Sequence, residues 1–248
     1  MLTYAKKNIL GVSIAATHPQ NIVFIIKNLI ISSKKKLTIF YVNAYCLLLA
    51  QKDETYKNIL NKASLIYSGG YGPVFASKIL GDPLFDRTPT PDFINKIFSL
   101  AEKEGWSFYF IGAKEESIRK ALNKIKKEFP KLKILGYHNG YFNLRKEKNI
   151  LKNINIKKPT ILLVGMGSTT QEKWIYKNLK KLDVHVFWSV GALFDVISGY
   201  LPRAPVWMQK IGLEWVYRLK QEPRRLWKRY TIGNIKFIYL VLKKALDI

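Results

Sequence analysis

The sequence predicts an α/β protein, a doubly wound and mostly parallel sheet with helices on both faces, followed by a short helical appendage rich in basic and aromatic residues. Three observations predict it. Short β-rich runs alternate with amphipathic helical stretches from Leu37 onward, the pattern of βαβ units. Five of the six loops that follow those runs carry glycine. After Gly199 the alternation stops and Arg and Trp become interleaved.

Asn8 to Ile14 reads as a first strand. Thr17-His18-Pro19-Gln20 fits a T-x-x-Q capping box opening a helix from Asn21 to Ile31. Leu37–Val42 is the next strand, with a helix running to about Ala63. Ser64–Tyr67 follows with a helix from Gly72, and Asp92 lies at the start of a further helix after Pro91. Trp106–Gly112 precedes the helix Glu115–Phe129, and Lys133–Gly136 precedes a basic helix near Arg145–Ile154. Thr160–Gly165 leads into Gln171–Leu182, and Val184–Val190 closes the series.

In such sheets ligands bind beyond the carboxyl ends of the strands. Asn43, Ser68-Gly69-Gly70-Tyr71-Gly72, Gly112-Ala113, Gly136 to Gly140, Gly165-Met166-Gly167-Ser168 and Gly191-Ala192 are the residues at those ends. Glycine there permits close backbone approach to a nucleotide or sugar, and it also suits an ordinary tight turn. No G-x-G-x-x-G opens the first unit and no G-x-x-x-x-G-K-[ST] occurs, which argues against dinucleotide and P-loop sites.

The 248 residues carry 42 Lys and Arg against 17 Asp and Glu, a net charge of +25. A field of that sign favours a polyanionic partner: nucleic acid, anionic lipid or a nucleotide diphosphate. A specific nucleic-acid role is not expected, because no helix-turn-helix, RNP or zinc pattern is present. The single Cys46 excludes an intramolecular disulfide, and His18, His138 and His185 have no zinc spacing. The opening MLTYAKKNIL has the outline of a signal peptide, but the strand and capping box fit it better. No run reaches the roughly 20 apolar residues of a membrane span; Phe237 to Leu242 is too short.

Residues 1–199 are therefore expected to form the α/β domain and residues 200–248 a membrane-associating appendage. Between Arg203 and Arg229 eight basic residues accompany two acidic ones, with Trp207, Trp215, Tyr217 and Trp227 among them. Pro205 and Pro223 suit the first turns of two short amphipathic helices. Trp and Arg so mixed match the headgroup zone of an anionic membrane, and the same aromatics would equally dock the tail on the main domain.

Gly165-Met166-Gly167-Ser168-Thr169-Thr170-Gln171-Glu172-Lys173-Trp174-Ile175 looks like G-x-G-x-P-x-Q-E-x-W-I with Thr169 in place of proline. Val190-Gly191-Ala192-Leu193-Phe194-Asp195 matches V-G-A-x-F-D. Gly199, Arg203-Ala204-Pro205 and Trp207 match G-x-x-x-R-A-P-x-W. Gly212-Leu213-Glu214-Trp215, Arg218-Leu219, Glu222-Pro223, Arg225 and Arg229-Tyr230 follow in order. On these motifs the chain resembles the TagA/WecG/CpsF glycosyltransferase family along essentially its whole length. The resemblance implies an inverting, metal-independent and cofactor-free transferase. It would move an N-acetylmannosamine-type sugar from a UDP donor to a polyprenyl-diphosphate-linked sugar, on the inner face of the cell membrane. Members often self-associate, so the resemblance also allows a homo-oligomer. By similarity Asn43, Arg87 and Gln171 line the pocket with Tyr41, Gly70, Gly72, Gly112, Gly136, Gly167, Glu172, Gly191 and Asp195, while Arg218 and Arg225 approach a diphosphate. An Arg fork neutralises charge on a leaving diphosphate, and Gln171 would orient a sugar hydroxyl or, with Glu172, occupy a helix N-terminus. Asp195 would fix the turn beside Gly191.

Besides Thr169, two positions depart from the family pattern. Its aspartate base falls on Gly69, and the threonine two residues before Asn43 is Tyr41. Glycine accepts no proton, and a positioned base contributes about 10²–10⁴-fold. Three readings stay open: another carboxylate serves, Asp92 first and Asp86 second; the sugars have changed with Tyr41 and Gly69; or the chain is a non-catalytic, membrane-recruited subunit. For Asp92 the alternative is a stabilising charge at a helix N-terminus.

Overall fold

The computed structural model describes residues 4–246. The chain opens with an antiparallel hairpin, β1 (Lys6–Ile9) and β2 (Val12–Ala15), where the sequence predicts a single strand. Leu10 and Gly11 both take positive φ, 52° and 79°, the requirement of a two-residue hairpin turn. The expected capping box does not form. Thr17 donates its hydroxyl to the His18 carbonyl instead, a short 3-10 turn covers Pro19–Asn21, and α1 (Ile22–Ser32) starts only after it.

β3 (Leu37–Val42) leads to α2 (Ala44–Ala50) and α3 (Glu54–Asn61), two helices where the sequence predicts one. The break is chemical: Asp53 accepts from the Tyr56 amide at 2.9 Å and caps a new helix. β4 (Leu65–Ser68), α4 (Tyr71–Ile79), α5 (Thr90–Glu104), β5 (Ser107–Gly112) and α6 (Glu115–Glu128) follow. β6 (Lys133–His138) runs two residues past the expected end, so Gly136 lies within the strand rather than after it. α7 (Leu144–Lys157), β7 (Ile161–Gly165), α8 (Thr170–Asn178), β8 (Val186–Ser189) and α9 (Leu193–Ser198) complete the alternation.

Six strands form one parallel sheet in the order β4-β3-β8-β7-β5-β6. Alternation along the strands gives each face its own core. Phe108, Phe110, Ile161 and Leu163 pack on one face with α1, α5 and α6; Tyr109, Ile111, Leu162 and Val164 pack on the other with α2, α3 and α8.

The tail folds as α10 (Val206–Lys210), α11 (Glu214–Gln221), α12 (Pro223–Tyr230) and α13 (Ile232–Ala245) rather than as two helices. Gly212, at φ 80°, lies between the first two helices, and the Glu222-Pro223 step separates the next pair. α13 lies on α2 and α4, burying Phe237 and Val241 in the second core. Burial of such side chains contributes about 1.5–3 kcal/mol each, so the end of the tail is anchored. Among the described residues no helix is long and apolar enough to cross a membrane.

Candidate active site

Parallel pairing brings the ends of β4, β3, β8, β7 and β5 to one edge of the sheet. The backbones there touch directly: a Cβ on Gly112 would strike the Gly165 carbonyl, and one on Gly165 the Gly191 carbonyl. Close packing of strand ends thus accounts for these two glycines. Gly140 packs more loosely on Gly112, where a Cβ would lie 3.1 Å from the Gly112 Cα. Gly167 is exposed, with open space around its Cβ position. Gly136 stands apart on the outer strand, beneath the Tyr109 ring and beside an open cavity of about 540 Å³ that Lys146 and Lys157 also line.

Asn43 caps α2, its Oδ1 accepting from the Cys46 amide at 3.1 Å. In the β3–β4 register Tyr41 is opposite Tyr67 and Val42 opposite Ser68. Gly69 is therefore two residues beyond Tyr41's own partner, on the same face. The Tyr41 ring leans that way, so that a Cβ on Gly69 would lie 2.6 Å from Tyr41 Cδ2. Its hydroxyl sits against Gly191, whose φ of 57° and missing side chain leave room for it. Burial raises the Tyr41 phenol well above its ordinary pKa and keeps it protonated.

Gln171 and Glu172 are fully buried at the first turn of α8. Gln171 accepts from the Gly191 amide at 3.1 Å and donates to Glu172 at 2.7 Å. The Thr169 amide donates to the second Glu172 oxygen at 2.8 Å. That bond depends on the departure from the motif, because proline has no N–H and cannot take the φ of 69° found at Thr169. Burial dominates these bonds and pushes Glu172 up to about 7.

Beside the end of β4, the Thr88 amide donates to Ser68, and Arg87 lies with its guanidinium 5.1 Å from the Tyr71 ring centroid. Arg87 Nη1 faces Glu214 at 3.5 Å and Asp92 at 3.8 Å but has no hydrogen-bond acceptor among the described residues. Asp92 is paired with Arg203, which also holds Glu214 at 3.3 Å and Gln209 at 2.5 Å. These charges join α5 to the tail, next to a cavity of about 380 Å³ lined by Arg87, Asp92 and Lys96. Asp86 is exposed and accepts from the Arg87 amide.

On the opposite flank Arg229 stacks on Tyr45, 4.3 Å from the ring centroid. Its Nε is buried without an acceptor among the described residues, and it acts electrostatically on the Tyr41 phenol. Gly72 packs against Ala44, bringing the first turns of α2 and α4 together, so Arg87 and Arg229 flank adjoining turns. Gly70 caps α4. Arg218 is half-buried on α11. Arg225 pairs with Glu222 and lies within electrostatic reach of Tyr141. Asp195 receives the Ser117 hydroxyl at 2.6 Å, holding α9 to α6, and no hydrogen bond runs from its side chain to the Gly191 turn.

Sequence reasoning missed Arg229, Arg203 and Tyr45 as site residues. Both arginines lie in the tail motifs, but nothing local to Tyr45 marks it as a stacking partner.

A family model described as Glycosyl transferase WecG/TagA/CpsF family matches residues 7–248. Similar proteins include the N-acetylglucosaminyldiphosphoundecaprenol N-acetyl-beta-D-mannosaminyltransferase of Bacillus subtilis (strain 168), 33% identical over 86% of this chain and 82% of that protein. The transferase of the same name from Staphylococcus aureus (strain MW2) is 31% identical over 97% and 92%. That of Bacillus spizizenii is 31% identical over 78% and 74%.

Proposed function

Because the chain belongs to the WecG/TagA/CpsF family of glycosyltransferases, we propose that it transfers a sugar of the N-acetylmannosamine type, or a related hexose, from a UDP donor to a polyprenyl-diphosphate-linked acceptor. Transfer inverts the anomeric centre, needs no metal, and builds a cell-surface polysaccharide at the inner membrane face. The relatives' acceptor, N-acetylglucosaminyldiphosphoundecaprenol, supports the lipid-linked class.

One observation carries the reading. Arg87 and Arg229 flank the adjoining first turns of α2 and α4, and each keeps a buried N–H donor with no acceptor among the described residues. A buried donor left unpaired costs about 1–3 kcal/mol, and diphosphate oxygens would supply the missing acceptors. Guanidinium groups placed there stabilise the charge that develops on the departing UDP. No D-x-D metal motif occurs in the sequence, and arginines can supply the same neutralisation.

Gln171, fully buried and held between the Gly191 amide and Glu172, positions the Gly191 turn at the back of the pocket rather than contacting the substrate. Asp92 is the carboxylate we propose as proton acceptor, supported by its place beside Arg87. Its partner Arg203 would turn to the incoming diphosphate and free it. Residues 1–199 form the catalytic domain, and residues 200–248 the appendage that delivers arginines to the site and carries exposed Trp207, Ile211, Trp227 and Ile235 to an anionic membrane. Self-association of the chain belongs to the same reading.

The test is incubation with a short-chain polyprenyl-diphosphate-linked N-acetylglucosamine and a panel of UDP-sugars without added metal, following UDP release and lipid-linked product. Product formation supports the transferase. UDP binding with no turnover across the panel would instead favour a sugar-nucleotide-binding subunit.

A further inference from the structure

We infer that Tyr41 and Gly69 act as one steric unit that sets which sugar the site accepts, Tyr41 contacting the sugar carried by the nucleotide. This rests on the transferase reading above and adds to it a specificity-determining residue.

The two positions are coupled by geometry. They are diagonal neighbours on one face of β3 and β4, and the Tyr41 ring fills the space that any side chain at 69 would enter, a Cβ there lying 2.6 Å from Cδ2 and 3.2 Å from Cγ. A carboxylate at 69 and a tyrosine at 41 cannot share this pocket without displacement of the Tyr41 ring or of a strand end. Tyr41 is held from the other side as well, because its hydroxyl abuts Gly191 and its ring packs near Tyr67, 6.5 Å between centroids. It is therefore a fixed wall rather than a mobile side chain.

That wall stands at the strand ends beside Gln171, Glu172 and Arg229, all of which act on the phenol. Half-buried and protonated, Tyr41 offers an aromatic face and a hydroxyl donor. Such a group reads a sugar by shape and by one hydrogen bond to a hydroxyl or N-acetyl oxygen, and removes no proton. A smaller residue at 41 with a carboxylate at 69 would present a wider, negatively charged pocket and rank sugars differently.

The experiment uses the full chain as wild type, Tyr41→Phe, Tyr41→Thr, Gly69→Asp and the double variant Tyr41→Thr/Gly69→Asp. Thermal stability and the affinities of UDP, UDP-glucose, UDP-galactose, UDP-N-acetylglucosamine and UDP-N-acetylmannosamine are measured. Gly69→Asp is expected to destabilise or abolish folding beside Tyr41 and to be tolerated beside threonine. The double variant is expected to reorder the UDP-sugars by about tenfold with UDP itself unchanged. Tyr41→Phe, which keeps the ring, should weaken the preferred UDP-sugar about 3- to 10-fold, the effect of one neutral hydrogen bond. Additive stability changes, an unchanged sugar ranking, or no sugar-nucleotide binding in any of the five would overturn the inference. Turnover by the wild type judges the transferase reading separately: sugar reordering without turnover would sink that reading and leave the Tyr41–Gly69 pair standing.

Discussion

The ring of Tyr41 lies across Gly69, so close that a Cβ on the glycine would be 2.6 Å from Tyr41 Cδ2. The two positions at which the resemblance marks a departure from the family pattern are thus coupled in space, the Tyr41 ring filling the volume that any side chain at 69 would enter. Glycine at 69 offers no proton acceptor, and two carboxylates border the same region: Glu172, buried and acting on the Tyr41 phenol, and the more exposed Asp92 in the charged cluster around Arg87.

Asp92→Asn and Arg203→Ala separate the two roles open to that carboxylate. Both remove the ion pair that joins α5 to the tail, and Arg203→Ala also releases Glu214 and Gln209, so it should lower thermal stability at least as much as Asp92→Asn. Only Asp92→Asn removes the proposed proton acceptor, and kcat is expected to fall about 10²–10⁴-fold there against a much smaller loss in Arg203→Ala. Equal losses of kcat would leave Asp92 a tether alone.

Arg229→Lys keeps the charge but loses the planar stack on Tyr45 and the buried Nε donor. Lysine cannot reproduce the fork. UDP affinity measured by calorimetry should fall about 10-fold or more, in line with the 1.5–3 kcal/mol of a hydrogen bond to a charged group. Unchanged affinity would remove Arg229 from the diphosphate site.

Much of this fold is legible in the sequence because βα alternation is a local signal: the strands from Leu37 to Ser189 lie within a few residues of their predicted places. What escapes depends on partners distant in sequence. The β3–β4 register that aims Tyr41 at Gly69 leaves no trace in either segment. The stack of Arg229 on Tyr45 needs α12 brought over α2. The anchoring of α13 through Phe237 and Val241 looks, along the chain, like any short amphipathic helix. The hairpin at Leu10-Gly11 escapes for a different reason, since Leu is a poor marker of the positive φ it adopts there.

Glycines at the strand ends should rank by what surrounds them. In Gly112→Ala the new methyl meets the Gly165 carbonyl at φ 154°, whereas in Gly167→Ala it enters open space at φ 88°. The second should cost about 1–2 kcal/mol from backbone strain alone, and the first about 1–3 kcal/mol more from overpacking. Chemical denaturation of both variants checks the order; equal losses would mean the β5 and β7 ends are not in fixed contact.

The stability of the protein should carry the signature of Glu172. Burial holds its proton in the folded state to about pH 7, while the unfolded chain releases it near the ordinary value of 4.5. Between those values the native state binds more protons, so this group's contribution falls as pH rises from about 4.5 to about 7 and is level above that. At about 1.4 kcal/mol for each pH unit crossed between the two values, the decline amounts to a few kcal/mol at most. Gln at 172 keeps an acceptor for the Thr169 amide and removes the titration, so Glu172→Gln should flatten the pH profile of Tm across that window. A variant whose profile still falls as steeply as wild type would show that Glu172 does not titrate in this window and is ionised in the folded protein, held by its Gln171 and Thr169 donors.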